Sequence, residues 1–226
     1  MRLRRHRILS VFLVGVTLQL LALLFSSSDA LEIDIPQLER TAVTRFGPRA
    51  ASEVADWLRL MQQHAGAAEG DKLTLVNRFW NQRVREAEDL AVWGQVDYWA
   101  TPLESLARGA GDCEDFVIGK YFSLIRMGVD GAKLRFIYVR AKLNDGAPNG
   151  IAHMVLGYYA TPSAVPLVLD SLNKEILPAN RRPDLTPVFS FNAEGVYVAG
   201  AATTPVDRVS RWQDLLARMQ QEGFRP

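Results

Sequence analysis

Gly109-Ala110-Gly111-Asp112-Cys113-Glu114-Asp115-Phe116 is the stretch on which the fold and the chemistry turn. Two glycines end whatever precedes them, and Asp112 opens an apolar-periodic helix through Phe116, Tyr121 and Leu124 that Gly128 stops. Cys113 then falls in the first helical turn. Unpaired backbone N–H groups and the positive end of the helix dipole favour an anion there, and so favour thiolate. The same N–H groups suit the oxyanion of a tetrahedral intermediate. The alternative is a buried structural cysteine, the commoner fate of a free cysteine. Three acidic neighbours, Asp112, Glu114 and Asp115, argue against that fate.

Upstream, Thr101-Pro102-Leu103-Glu104 reads as a capping box, with Thr101 as N-cap and Pro102 at the first helical position. Ser52 is placed to cap a helix carrying Val54, Trp57, Leu58 and Met61 on one stripe, and a second helix is expected over Asp71–Glu88. Residues 31–48 are expected to be extended. Downstream the period shortens: Leu134–Leu143, Ala152–Ala160 and Pro166–Leu169 read as strands, with turns at 144–146 and 148–150. Further strands are expected near Phe189 and over Val196–Ala199, before a closing amphipathic helix over Ser210–Gln221. Helices first and strands later around one core describe an α+β domain.

The 226 residues suit one medium domain, and 48% apolar with 23% charged residues is an ordinary globular balance. Disordered, collagen-like and polytopic membrane classes are excluded. Arg2, Arg4, Arg5 and Arg7 precede an apolar run from Ile8 to Phe25 and small residues up to Ala30. Residues 1–30 therefore read as a secretory signal, the alternative being an uncleaved N-terminal membrane anchor. Residues 31–226 are then expected to form one exported domain. Without the leader the chain loses four of 26 basic and one of 25 acidic residues, leaving an acidic excess of two. No positive field invites nucleic acid. One cysteine excludes an internal disulfide, and three histidines, one in the leader, leave little for zinc.

His153 follows a turn early in a strand, and Asp170 ends the apolar run Pro166-Leu167-Val168-Leu169. Adjacent strands would bring both to one sheet edge, with Asp170 orienting an imidazole for proton exchange with Cys113. Taken singly, His153 also fits a hydrogen-bonded core histidine, and Asp170 a turn residue. His64, in a glycine-rich connection, reads as surface.

The Gly111–Phe116 segment, Tyr98-Trp99-Ala100-Thr101-Pro102, His153-Met154-Val155-Leu156 and Leu167-Val168-Leu169-Asp170 together resemble the bacterial transglutaminase-like cysteine proteinases, from about Phe46 to Phe191. The resemblance implies a papain/transglutaminase-like core, its nucleophile at a helix N-terminus packed on an antiparallel sheet. It implies Cys113 as nucleophile, His153 as general base and acid, and Asp170 as orienting carboxylate. Trp99 becomes a candidate oxyanion donor, against the alternative of a core aromatic.

Carboxylates beside a catalytic thiol oppose thiolate formation, and a cation would remove that opposition. Calcium takes oxygen ligands and is available outside the cytosol. The resemblance carries calcium ligation to Asp112 and Glu114, with Asp115 as a third; Asn144 and Asp145 are loop candidates. The alternative makes Asp112 an N-cap and the others a dipole-favoured acidic first turn. The resemblance further implies a calcium-dependent endopeptidase. Its substrate is a large surface adhesin cut near its N-terminus at a di-alanine site, controlling biofilm release. Its implied partner is an inner-membrane receptor for cyclic di-GMP that sequesters it. Acyl transfer to an amine and a non-catalytic calcium-binding adaptor are the competing readings.

Overall fold

In the computed structural model, which describes residues 31–143, 150–192, 195–198, 201–204 and 210–225, helices come first and strands later. After a short strand β1 (Glu32–Ile33), the segment expected to be extended is instead helical. The Asp34 side chain accepts the Gln37 N–H at 3.0 Å, Pro36 occupies the first turn, and α1 (Ile35–Phe46) buries Leu38 and Ala42. Proline there begins a helix rather than preventing one, since its missing N–H is an orphan in a first turn anyway. Gly47, at φ 84°, turns the chain into α2 (Pro48–His64), which starts before Ser52 and buries Val54, Trp57 and Met61.

Next is α3 (Glu69–Arg83), shorter than expected because the chain leaves it as a strand, β2 (Arg85–Glu86), ahead of α4 (Asp89–Trp93). In α5 (Pro102–Arg108) the capping box is complete: Glu104 N–H donates to Thr101 Oγ1 at 3.1 Å, and Thr101 N–H to Glu104 Oε2 at 3.0 Å. Strand β3 (Ala110–Gly111) leads directly into α6 (Cys113–Arg126).

The strands β4 (Leu134–Ala141), β5 (Ile151–Tyr158), β6 (Leu167–Leu169), β7 (Leu177–Pro178), β8 (Leu185–Asn192), β9 (Gly195–Val198) and β10 (Ala201–Thr204) form a seven-stranded sheet in the order β10-β9-β8-β4-β5-β6-β7. Every pairing in it is antiparallel. Helix α7 (Ser210–Glu222) closes the chain, and β11 (Phe224–Arg225) returns to pair with β1. The expected turn at 144–146, most of that at 148–150 and the leader 1–30 lie outside the described residues. Among those described, no helix is long and apolar enough to cross a membrane.

Helix α6 is nearly all buried, between α3 and α5 on one side and β5 on the other. Its fit against α3 depends on Gly119, where an added Cβ would come within 2.5 Å of the Trp80 ring. Beside it, Ser123 Oγ accepts the indole N–H groups of Trp57 (2.8 Å) and Trp80 (2.9 Å), so two buried donors share one acceptor. Gly119→Ala is therefore expected to lower Tm by several degrees in a thermal melt. Overpacking costs about 1–3 kcal/mol, and the helix propensity gained by alanine offsets at most about 1 kcal/mol of it.

Candidate active site

Gly111 is extended, and it must be small because a Cβ there would overlap the Asp115 side chain. Parallel pairing of β3 with β2 holds this approach in place, with Arg85 N–H donating to Gly109 O at 3.0 Å and Ala87 N–H to Gly111 O at 2.9 Å. Cys113 then begins α6 at the floor of a cleft of about 510 Å³ lined by Glu86, Glu88, Cys113, Glu114, Tyr138 and His153 among others.

His153 and Asp170 come together as expected. His153 Nε2 lies 2.7 Å from Asp170 Oδ1, with the two residues 2% and 0% exposed. An ionised Asp170 only accepts, so Nε2 carries the hydrogen and Nδ1 keeps the lone pair. Asp170 Oδ1 also accepts the Leu172 N–H at 3.0 Å, and Oδ2 accepts Arg182 Nη2 at 2.7 Å. Burial opposes ionisation of this carboxyl, but the His153 and Arg182 hydrogen bonds and the His153 charge outweigh it and hold the pKa at about 2. Arg182, buried and also paired with Asp184, is a partner of Asp170 that sequence reasoning missed.

The Cys113 thiol touches β5 one residue beyond His153, where the Met154 N–H is directed at Sγ. On its other side it donates to Glu114 Oε2 at 2.7 Å. Burial, then the Glu114 and Asp112 charges, push this thiol well above its ordinary pKa, against the smaller opposing effect of Met154. Both the burial and the carboxylates thus oppose ionisation of the thiol.

The acidic residues divide differently from the expectation. Asp112 and Asp115 do converge, but their third partner is Asp89 from the start of α4, with carboxylate oxygens all within 4.8 Å of one another. Glu114 is turned to the thiol instead. Asp112 makes no capping hydrogen bond from its side chain, so the N-cap alternative does not account for it. Asp89 Oδ1, Asp112 Oδ1 and Asp115 Oδ2 are each buried without a hydrogen-bond partner. Burial first, then the neighbouring carboxylates, pushes Asp112 up to about 9 and Asp115 well above the ordinary range. Two buried carboxylates and one half-buried, each with a partnerless oxygen, converge as the donor set a hard divalent cation takes. Asn144 and Asp145 lie outside the described residues.

Trp99 takes its core alternative. It is 3% exposed, stacked on Phe191, and its indole N–H donates to Asp97 Oδ1 at 3.2 Å, so that donor is already engaged. The phenol that does line the cleft is Tyr138, on β4 opposite Met154. His64, half-buried at the end of α2, lies outside the cleft.

Three comparisons bear on this geometry. The family model described as bacterial transglutaminase-like cysteine proteinase matches residues 41–183. Among solved structures, Legionella pneumophila LapG is 36% identical, with a TM-score of 0.70 over 83% of this chain and 98% of that one. Its EGTA-treated form gives 0.72 at the same identity and coverage, and its calcium-bound form gives 0.70 over 83% and 99%. A comparison with curated proteins gives no match.

Proposed function

The chain belongs to the bacterial transglutaminase-like cysteine proteinases, and from that premise we propose that it is a calcium-dependent endopeptidase using Cys113, His153 and Asp170. The observation that carries the reading is the buried 2.7 Å contact between His153 Nε2 and Asp170 Oδ1, made by a histidine that lines the same cleft as Cys113. Asp89, Asp112 and Asp115 would hold calcium, which when bound would supply positive charge against the carboxylates beside the thiol. The calcium-bound form of the Legionella protein supports that choice of ion.

His153 Nδ1 takes the thiol proton, and Sγ attacks the scissile carbonyl carbon. The resulting oxyanion falls to backbone N–H groups at the start of α6. His153 returns its proton to the leaving amine, and the thioester remains on Cys113. A water activated by Nδ1 then attacks the thioester, releasing the acid and restoring the thiol. Throughout, Asp170 fixes the ring and stabilises the imidazolium, while Arg182 keeps Asp170 ionised.

By the same reading the substrate is a large surface adhesin cut near its N-terminus at a di-alanine site, which releases cells from biofilm. The domain 31–226 acts in the periplasm after export by residues 1–30, and an inner-membrane cyclic-di-GMP receptor sequesters it. The test is alkylation of Cys113 by iodoacetamide against pH, with calcium or with EGTA. Fast reaction near neutral pH in calcium, lost by about a hundredfold in His153→Ala, is the expected result. A thiol that titrates freely in both proteins overturns the reading. Incubation with an alanine-pair peptide and a competing amine then separates hydrolysis from acyl transfer.

A further inference from the structure

Asp170 is held by its backbone as well as by its carboxylate. Its carbonyl oxygen accepts Lys120 Nζ at 2.9 Å and Asn81 Nδ2 at 2.8 Å. Lys120 lies on α6 and is 0% exposed; its ammonium also sits 5.7 Å from the Phe116 ring centre. A lysine is almost never fully buried unless it is paired with a charge, yet the hydrogen bond this one makes is to a main-chain oxygen. An apolar residue would fill the same space at lower cost, so the donor itself calls for a role. Its position supplies one. Lys120 follows Cys113 by about two helical turns, so both project from the same face of α6.

We propose that Lys120 is a positioning residue for the catalytic set, tying the turn that carries Asp170 to the helix that carries Cys113. The inference rests on the protease reading and deepens it. One rigid helix then fixes the nucleophile at its N-terminus and, two turns on, the main chain of the carboxylate that orients His153. Asn81, from α3, is the second strut on the same oxygen. Burial draws the Lys120 pKa down to about 7, with the Asp170 charge acting the other way. The tether is indifferent to that titration, because ammonium and amine both keep an N–H to donate.

Lys120→Met keeps the aliphatic stem and removes the donor; Asn81→Ala removes the other strut from a partly exposed position. Both are made in the full 31–226 domain and compared with wild type in calcium. One readout is the proton resonance of His153 Nε2–H in histidine-labelled protein, which reports its bond to Asp170 and which packing alone does not move. The other is the pH profile of Cys113 alkylation by iodoacetamide. Expected for Lys120→Met are a cooperative melt, an upfield-shifted or broadened His153 resonance, and alkylation at neutral pH slowed by about tenfold or more, since small misplacements of reacting groups carry large rate penalties. Asn81→Ala is expected to move both readouts the same way by less. A folded Lys120→Met with the wild-type resonance and profile overturns the tether. If Lys120→Met does not fold, an unchanged Asn81→Ala overturns it. Wild-type Cys113 that reacts independently of His153 instead overturns the protease reading, and the resonance still decides whether Lys120 holds Asp170.

Discussion

Asp89→Asn is expected to exchange its stability order with wild type between EGTA and calcium. In wild type, EGTA leaves Asp89, Asp112 and Asp115 facing one another with three buried partnerless oxygens, and calcium in hundredfold excess over its Kd adds about 2.7 kcal/mol. For a domain of this size that is roughly 5–10 °C in Tm. Asp89→Asn removes one of the mutually repelling carboxylates, so the variant is expected to melt at or above wild type in EGTA. It also removes a ligand charge, so its gain from calcium shrinks to a degree or two. The two proteins thus change order between EGTA and calcium. Differential scanning fluorimetry reads the order, and isothermal titration calorimetry reads the affinity. A variant that gains as much from calcium as wild type would remove Asp89 from the site, and no gain in either protein would remove calcium from the proposed mechanism.

Asp89 also marks the limit of what the sequence discloses. The Gly-Ala-Gly-Asp-Cys segment announces its helix because glycine break and apolar period agree locally, and α6 runs from Cys113 almost to the expected stop. The capping box at Thr101 is legible for the same reason. Strands β4, β5 and β6 follow from apolar content and turn signals, and their antiparallel order brings His153 to Asp170 across 17 residues. Asp89 reaches Asp112 only because two-residue strands β2 and β3 pair in parallel, and no local pattern encodes so short a non-local pairing. The acidic run Glu86-Ala87-Glu88-Asp89 was the available signal, but it reads equally as a solvated surface. Arg182 and Lys120 were hidden likewise, since a sequence does not show which cation will be buried.

Trp99 and residues 31–48 depart for different reasons. Asp97, at φ 59°, sits in the left-handed region and accepts the Trp99 indole N–H; a side chain two residues away therefore decides where the indole points. Residues 31–48 are helical where extended chain was expected, because Pro36 and Pro48 each occupy the first turn of a helix. Glu114 adds a chemical point. Sharing a helix turn with two cluster aspartates, it accepts the Cys113 thiol at 2.7 Å and lies beside Asp112.

Asp170→Asn is expected to have the largest combined effect on reactivity and stability. Asparagine cannot stabilise an imidazolium as a carboxylate does, and its amide can present N–H to His153 Nε2, which then favours the wrong tautomer for accepting the Cys113 proton. A loss of about 10²–10⁴ in His153-dependent alkylation or peptide cleavage is expected. The substitution also leaves Arg182, 3% exposed, with Asp184 as its remaining carboxylate partner, and breaking a buried ion pair costs about 3–5 kcal/mol. The pH dependence carries a distinct sign. Despite burial, the His153 and Arg182 interactions lower Asp170 from 3.8 to about 2, so its contribution is complete above pH 3.8 and is lost as pH falls toward 2. That contribution is about 2 kcal/mol. Wild-type Tm is therefore expected to fall more steeply than that of Asp170→Asn between pH 4 and 2, with the gap between the proteins narrowing in acid. Parallel curves over that range would show that Asp170 is not held ionised by these partners, and a variant with unchanged alkylation would remove it from the catalytic set.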